Sequence, residues 1–285
     1  MANETRLGII SALGEASGEG GYATLSFSEL QEATGIEDNG HFNYHLKKLV
    51  EEFVEDREDG YALTLAGIRA YQAIVAQQQL PSTEVAPFDL HSADECHCGG
   101  VIEAWYENGR FHAECNECDE SIQYYPVSPR SFDVADPDTL VTAAARRITR
   151  DESSMVRGVC PYCTGNVTWS FEMPEGYWAE NGMQQEDIVS HVACDDCAWF
   201  MYGTIGGKAR FNTIISSFLA TRGHDPWREP PWGEPFEYTE RVLSDDPWRL
   251  ELTYELEGDE LTVTVDGSLN VIDHELTEGA VDRED

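Results

Sequence analysis

The spacing of apolar positions predicts helices in the first eighty residues and mainly strands in the rest of the chain. One apolar helix face is formed near the start by Leu7, Ile9, Ile10 and Leu13. Ser26 and Glu29 have the spacing of a capping box, so we expect a second helix to begin there. That helix should run to Thr34 and end at Gly35, because glycine readily adopts the left-handed conformation that closes helices.

A third helix is predicted from Asn39 to about Glu52, with Asp38 as its N-cap. Its core-facing side chains follow three- and four-residue steps at Phe42, Leu46, Leu49 and Phe53. Two short apolar runs then flank Asp59-Gly60, a dipeptide that is a strong signal for a β-hairpin. Helix, helix, turn, helix and hairpin in this order predict a winged helix-turn-helix domain over residues 1–80.

The outer face of this third helix carries the candidate DNA-binding side chains. They are Asn39, His41, Asn43, Tyr44, Lys47 and Lys48, with Arg57 added near the tip of the hairpin. Asparagine can pair bidentately with adenine, and lysine can contact guanine or phosphate. These residue types on the helix that enters the major groove predict binding to double-stranded DNA.

The same region carries a resemblance to a known family. The run Phe42-Asn-Tyr-His-Leu-Lys-Lys-Leu-Val50, followed by Phe53-Val54 and Gly60-Tyr-Ala-Leu-Thr64, resembles the ArsR-type winged helix of halophilic archaeal transcription regulators. In that family the His-Leu pair, here His45 and Leu46, lies in the recognition helix, and the residues just before it read DNA. The resemblance spans residues 5–75 and implies DNA contacts by Asn39, His41, Asn43 and Tyr44. Some members sense metals through cysteine or histidine in this domain, but this chain has no cysteine before Cys96, so that mode is not expected.

The charge of the chain narrows its possible partners. It has 54 acidic and 18 basic side chains, a formal net charge of −36, and its only lysines are Lys47, Lys48 and Lys208. This charge balance excludes the ordinary class of basic nucleic-acid-binding proteins, and it disfavours binding of the protein to an anionic membrane surface. Carboxylates spread along the whole chain are typical of a protein from a high-salt cytoplasm, where repulsion is screened within about 3 Å at 1 M salt. The alternative, an acidic interaction tail, applies only to residues 278–285.

The charge of the first eighty residues bears on the DNA hypothesis directly. They hold 5 basic and 13 acidic side chains, a net charge of −8, which favours a helical domain used for protein contacts. Against this alternative, two of the three lysines lie together on the helix that would enter the groove. Attraction through counterion release is also weak at multimolar salt, so base-edge contacts would matter more.

Beyond Leu80 the chain is predicted to form an α+β region in three parts. Pro81 to Pro87 is expected to be a linker, and residues 81–130 combine it with the first cysteine-bearing segment. Residues 131–206 hold a helix from Asp138 to Thr149 and the second cysteine-bearing segment. Residues 207–285 hold a helix from Lys208 to Arg222, then strands between Leu250 and Ile272 and the acidic end.

The eight cysteines form two sets of four. The first set is Cys96, Cys98, Cys115 and Cys118, and the second is Cys160, Cys163, Cys194 and Cys197. Two closely spaced pairs that bracket a strand-rich segment are typical of zinc ribbons, so we expect two structural zinc ions per chain. His97 or His112 is available to replace a thiolate in the first set, although four cysteines make this unnecessary.

The segments enclosed by the two cysteine sets are predicted to form strands. In the first set, Glu107-Asn108-Gly109 is a turn signal between the runs Val101–Tyr106 and Arg110–Glu114. The second set can hold strands Val167–Glu172 and Ile188–Ala193 around a longer loop. Each set therefore has the intervening strand pair that a zinc ribbon needs.

Other interpretations of the cysteines stay open or are disfavoured. An iron–sulfur cluster also uses four thiolates. A thioredoxin-like dithiol needs a βαβ context that neither segment provides. A weak internal repeat supports two related modules, since glycine follows Cys98 and Cys163 by two positions and a branched apolar residue follows by four. Closed four-cysteine sites leave no open coordination position, so hydrolytic catalysis at these metals is not expected.

Sequence motifs outside these regions are few. No metalloprotease motif, nucleophile elbow, P-loop or dinucleotide fingerprint is present, so we do not expect an enzyme. Seven aromatic residues form either a ribbon core or an effector pocket: Trp169, Phe171, Tyr177, Trp178, Trp199, Phe200 and Tyr202. The segment Arg222–Trp227 is a polar cluster that could contact a ligand or partner. No mechanism is assigned to it. Residues 66–79 are a candidate dimer helix.

Two function hypotheses follow from the sequence. The first is a cytoplasmic DNA-binding transcriptional regulator with an effector of unknown nature. The second is a zinc-ribbon adaptor of the transcription or RNA-processing machinery, whose N-terminal domain binds protein. Neither a signal peptide nor an apolar stretch of membrane-spanning length is expected.

Overall fold

The chain is a mixed α+β protein with several small antiparallel sheets. A computed structural model describes residues 4–17, 23–77, 83–118, 120–173, 188–233 and 236–279. The chain forms two compact units, Met1–Pro81 and Ser82–Asp285. Among the described residues, the first unit has one hydrophobic core and the second unit has two.

The first unit contains four helices and one hairpin in its described part. They are α1 (Glu4–Ala16), α2 (Phe27–Thr34), α3 (Asn39–Lys47), β1 (Val54–Arg57), β2 (Gly60–Leu63) and α4 (Leu65–Gln77). The capping box at the start of α2 is confirmed, since the N–H of Glu29 donates to Ser26 Oγ and the N–H of Ser26 donates to Glu29 Oε2. Gly35 ends α2 in the left-handed conformation, as predicted.

Helix α3 begins as predicted but ends earlier. Asp38 caps it by accepting a hydrogen bond from the N–H of His41, and Phe42, Leu46 and Leu49 are buried. The extension to Glu52 is wrong, because Glu51 takes a φ of 81° and directs its N–H to Val54 O. Leu49 stays buried in the following turn, which explains why the apolar spacing continues beyond the helix.

The hairpin of the first unit depends on Gly60. Its φ is 134°, and a Cβ at this position would collide with Leu25 O. Leu25, which lies outside the hairpin, forms two backbone hydrogen bonds with Tyr61 of β2. The N–H of Tyr61 donates to Leu25 O at 2.8 Å, and the N–H of Leu25 donates to Tyr61 O at 3.0 Å. The glycine therefore lets the hairpin lie against the segment that leads into α2.

The second unit holds three antiparallel sheets and three described helices. The first sheet is β3 (Val85–Asp89), β4 (Ile102–Glu107), β5 (Arg110–Cys115) and β6 (Ser121–Pro126), followed by helix α5 (Pro137–Val156). The second sheet is β7 (Val167–Glu172), β8 (Val189–Cys194) and β9 (Phe200–Gly203), followed by α6 (Gly206–Ala209) and α7 (Thr213–Ala220). The third sheet is β10 (Glu237–Asp245), β11 (Trp248–Leu256), β12 (Asp259–Asp266) and β13 (Val271–Thr277).

Three predicted boundaries in this unit are wrong. The predicted linker contains strand β3, which is an edge strand whose pairing with β4 shifts between Val85 and Phe88, so Pro87 is accommodated at a bulge. The helix expected over 208–222 is two helices, because Asn212 accepts the N–H of Ile214 and caps a new one. Helix α5 continues past Thr149 to Val156.

The third sheet packs its inner face on α7. Alternate residues of β11 and β12 are buried, including Leu252, Tyr254 and Val263, and they share a core with Phe218 and Leu219 of α7. Glu240 of β10 accepts hydrogen bonds from the N–H groups of Ile188, Ile205 and Gly206 at 2.7–2.9 Å, which ties this sheet to the second one. Among the described helices, none has the length and apolar character needed to cross a membrane.

Candidate metal centres and nucleic-acid interface

The first cysteine cluster lies at one end of the sheet β3–β6. Cys96 and Cys98 precede β4, Cys115 ends β5, and Cys118 follows three residues later. The Sγ atoms of Cys98 and Cys115 are 3.4 Å apart, and those of Cys96 and Cys118 are 3.6 Å apart. All four Sγ atoms lie within 4.8 Å of one another, so they could hold one metal ion.

The second cluster lies at the corresponding end of the sheet β7–β9. The Sγ atoms of Cys163 and Cys194 are 3.3 Å apart, and those of Cys160 and Cys197 are 3.7 Å apart. These four atoms also lie within 4.8 Å of one another. The structure therefore brings together both predicted sets, each from two chain segments that meet across a strand pair.

The two clusters share one backbone hydrogen-bond pattern. The N–H of the leading cysteine donates to a glycine carbonyl in both, from Cys96 to Gly100 at 3.0 Å and from Cys160 to Gly165 at 2.8 Å. The third cysteine of each set donates its N–H to the residue five positions later, at 2.9 Å in both clusters. The second set has one more residue between its first two cysteines than the first set has. This residue lies before Cys163, so the glycine follows the second cysteine by two positions in both sets. The weak sequence repeat therefore corresponds to a repeated local structure.

The shared glycine of the repeat has a steric cause. A Cβ on Gly100 would lie 2.6 Å from Cys115 Sγ, and a Cβ on Gly165 would collide with the Asp196 carboxylate. The N–H groups of the two glycines also point at thiols, each lying 3.4 Å from the Sγ of Cys98 or Cys163. Backbone N–H donors of this kind favour the charged thiolate.

The thiols within each cluster differ in acidity. The N–H of Glu117 lowers the pKa of Cys115 to about 7. Burial acts against ionisation of Cys194, but the N–H of Asp196 and the neighbouring thiols bring its pKa to about 7 as well. The N–H of Trp199 favours ionisation of Cys197, yet burial and the other thiols together raise its pKa to about 12. A first thiolate is thus favourable and further ones are costly without a cation, which is the donor chemistry that suits a divalent metal.

Two further polar groups, His97 and Glu120, adjoin the first cluster. Glu120 Oε2 lies 3.2 Å from Cys96 Sγ and 2.6 Å from His97 Nδ1, and His97 Nδ1 lies 3.6 Å from Cys96 Sγ. Cys96, His97, Cys118 and Glu120 form an alternative group of possible metal ligands. His112, by contrast, stacks on Trp105 with a centroid distance of 4.7 Å and takes no part in either group.

A histidine and a tyrosine recur on the outer face of both sheets. His112 of β5 pairs across to Tyr124 of β6, and His191 of β8 pairs across to Tyr202 of β9. Their ring centroids are 4.9 Å and 4.4 Å apart. Cysteine spacing alone does not reveal this pair, but each histidine stands three residues before the third cysteine of its set, a signal that an alignment of the two repeats shows.

The candidate aromatic set is divided between core and surface. Phe171 is buried in the core of the second unit with Trp169 packed against it, whereas Phe200 and Tyr202 are 57% and 43% exposed. Tyr177 and Trp178 lie outside the described residues. The set therefore does not line one described pocket, and its exposed members belong to the outer face of β9.

The candidate DNA-binding side chains lie on one side of α3. Asn39, His41, Tyr44, Lys47 and Lys48 are exposed, and Asn43 is half-buried. Lys48 Nζ lies 6.0 Å from the centre of the Tyr44 ring. Arg57, on the hairpin, donates a hydrogen bond of 2.8 Å to Glu55.

The opposite side of α3 is anchored by a buried histidine, His45. His45 is buried and lies 3.2 Å from His41 between ring nitrogens, with Arg6 at 3.5 Å. Burial, then the nearby His41 and Arg6, lower the pKa of His45. A neutral His45 therefore packs behind the exposed face and connects α3 to α1.

Two family models match the chain. A domain of unknown function (DUF7347) matches residues 1–74, and a second domain of unknown function (DUF7351) matches residues 93–271. Comparison with curated proteins and with solved structures yields no match.

Proposed function

The chain belongs to the DUF7351 family, a domain of unknown function. We propose that this member of the family is a DNA-binding transcriptional regulator with two structural zinc ions. The DNA-binding part is the first unit, taken as a winged helix-turn-helix. The zinc-binding part is the pair of four-cysteine clusters, taken as zinc ribbons.

The observation that carries this proposal is the two-sided character of α3. Its inner side is filled by Phe42, His45 and Leu46, all buried. Its outer side presents amide, imidazole, phenol and ammonium groups, which are the groups that contact base edges and phosphates. The helix is nine residues long and is followed by a two-stranded hairpin, the order of elements that a winged helix requires.

The local charge supports the same interpretation. Lys47 and Lys48 are two of the three lysines in the chain, both are exposed, and they are adjacent at the C-terminal end of α3, where Lys48 is the C-cap. Lys208, the third, is buried and donates to Ser190 Oγ and Thr204 O. The exposed lysines of a strongly acidic protein are thus confined to the face proposed to meet DNA.

A dimer would set the geometry of the DNA site. We place the contact between the two subunits on residues 66–79, which include most of α4. Val75 in this range is 39% exposed, and Leu65, which directly precedes the range, is 64% exposed. Residues 78 and 79 lie outside the described residues. A twofold dimer would bind two half-sites about 34 Å apart, one turn of B-DNA.

The proposed zinc ions have a structural role. Four thiolates per ion complete a tetrahedral shell, so no position remains for a substrate. Each ion would join two loops at the end of a small sheet, a role that small sheets need because they bury little apolar surface. A bound zinc ion supplies positive charge that lets all four thiols ionise together.

Titration of genomic DNA fragments in multimolar KCl tests the DNA-binding proposal. Lys47→Glu should weaken binding on all sequences, and Asn43→Ala should reduce the preference for the best fragment by about 1–3 kcal/mol. Arg146→Glu is the matched control, since this exposed arginine on α5 undergoes the same change of charge in the other unit. Binding that is equal for the wild type and for Lys47→Glu would contradict the proposal.

The second candidate function is an adaptor, and one surface favours it. Phe200 and Tyr202 are exposed beside His191 on the outer face of β8 and β9, and such exposed aromatic residues suit a protein interface. If no DNA fragment binds, and Phe200→Ala disrupts a complex that Lys47→Glu leaves intact, the adaptor function is the correct one.

A further inference from the structure

A cleft in the second unit lies between the end of α5, one side of α7 and the segment that follows α7. Its volume is about 830 Å³, within the range of about 300–1,000 Å³ that is usual for small-molecule sites. The segment after α7 includes His224, Asp225 and Trp227, part of the polar cluster Arg222–Trp227, which neither proposed function uses.

One wall of the cleft is aromatic. Phe211 and Trp227 pack with their ring centroids 5.0 Å apart at an interplanar angle of 57°. Phe211 is buried, but Trp227 is 42% exposed. The exposed part of the Trp227 indole ring is therefore the apolar surface open to the cleft, and tryptophan offers large contact area at low entropic cost.

The cleft also holds an arginine without a carboxylate. Arg157 caps the end of α5, and its guanidinium lies 5.5 Å from the centre of the Trp227 ring. Within the part of the chain that the structure describes, its side chain makes no ion pair and no hydrogen bond.

The carboxylate of Asp225, which lines the cleft, already has a hydrogen-bond donor and a cationic partner. Asp225 accepts a hydrogen bond of 3.0 Å from the N–H of Trp227, and its other oxygen lies 3.4 Å from Arg228 Nε. His224 Nδ1 lies 3.2 Å from Glu229 Oε1, so that histidine also has an acidic partner. Arg157 is therefore the unmatched charge of the cleft, and it stands beside the aromatic wall.

We propose that this cleft binds a small aromatic carboxylate. The carboxylate would take the bidentate donors of Arg157, and the ring would lie against the exposed part of Trp227. Arginine is suited to this role because its planar guanidinium stacks on tryptophan while its N–H groups pair with a carboxylate. The site lies wholly in the second unit, so it does not depend on the DNA-binding proposal.

Calorimetric titration with naphthoate and with its neutral analogue naphthamide, in multimolar KCl, tests the inference. Naphthoate should bind at least about tenfold more tightly than naphthamide, which keeps the ring but lacks the charge. Arg157→Gln should remove this difference while leaving the affinity for naphthamide unchanged. Trp227→Ala should weaken both probes.

Arg146→Gln is the matched control for the loss of charge. Arg146 is exposed on the same helix, α5, and is not among the residues that line the cleft. This variant should bind naphthoate as the wild type does. Metal content and helicity of each variant show that it is folded. Equal affinity for the two probes, an equal effect of Arg157→Gln and Arg146→Gln, or no binding of naphthoate at millimolar concentration would each overturn the proposal.

Discussion

Cys98 and Cys115 are separated by 16 residues of intervening chain, yet their Sγ atoms are only 3.4 Å from each other. The hairpin of β4 and β5 produces this approach, because Ile102 pairs with Cys115 and the preceding loop folds over the end of the sheet. Cys163 and Cys194 meet in the same way at 3.3 Å, with Val167 paired to Cys194. Strand pairing thus assembles each cluster.

Metal analysis should find two divalent ions per chain, as the two four-sulfur clusters indicate. Cys115→Ser and Cys194→Ser should each reduce the content to one ion, because a serine hydroxyl does not replace a thiolate ligand. Chelation should also lower the melting temperature. Strong visible absorption from iron, or an unchanged metal content in either variant, would show that the assignment is wrong.

Substitution of Gly100 should damage the first cluster far more than substitution of its neighbour Gly99. In Gly100→Ala the new Cβ would lie 2.6 Å from Cys115 Sγ and 2.8 Å from Glu117 Cβ, so the cluster must open. In Gly99→Ala the space is open, and only a positive φ of 86° is strained, at a cost of about 1–2 kcal/mol. Metal content and melting temperature distinguish the two variants, and a Gly100→Ala protein with two ions would contradict the expectation.

Removal of the Asp151 carboxylate should destabilise the second unit by about 3 kcal/mol. This side chain is fully buried and accepts hydrogen bonds from Tyr125 Oη, Arg147 Nε and Arg150 Nε at 2.7–2.9 Å. Asp151→Ala leaves these donors without their acceptor, and Arg150 alone can regain much of its hydration. Chemical denaturation measures the loss. Asp138→Ala, an exposed position in the first turn of the same helix, should cost under about 1 kcal/mol.

Acid should weaken the contact of Asp259 with Arg222 and Gly279. The N–H of Gly279, 2.8 Å from the carboxylate, and then Arg222 hold the pKa of Asp259 below its usual value. Since the folded-state pKa is depressed, the stabilisation is present above the unfolded-state pKa and is lost as pH falls through the folded-state value. Asp259→Asn should therefore flatten the fall of stability below about pH 4. Asp273→Asn, an exposed position on β13, is the control and should leave that slope unchanged.

Local signals predicted those parts of the fold that depend on neighbouring residues. The capping box of Ser26 and Glu29 places the start of α2, and strand β7 runs from Val167 to Glu172 as predicted. Failures occur where a tertiary contact overrides the local pattern. Strand β10, which the sequence analysis did not identify, carries Glu240, whose partners Ile188, Ile205 and Gly206 are 34–52 positions away.

The sequence by itself determined the composition of the candidate sites. Cysteine spacing identifies both clusters of possible metal ligands, and helical periodicity separates the buried side of α3 from its polar side. Both signals act over short distances, since backbone hydrogen bonds and side-chain periodicity relate residues within a few positions of each other.

Only the tertiary structure decided which distant groups meet. Arg157 and Trp227 are 70 positions apart, and nothing in either segment indicates that the guanidinium will lie over the indole ring. That contact depends on how α5 and α7 pack against the sheets, and packing is set by the shapes of whole buried surfaces. The cleft beside these two residues is consequently a property of the folded unit that no local pattern in the chain records.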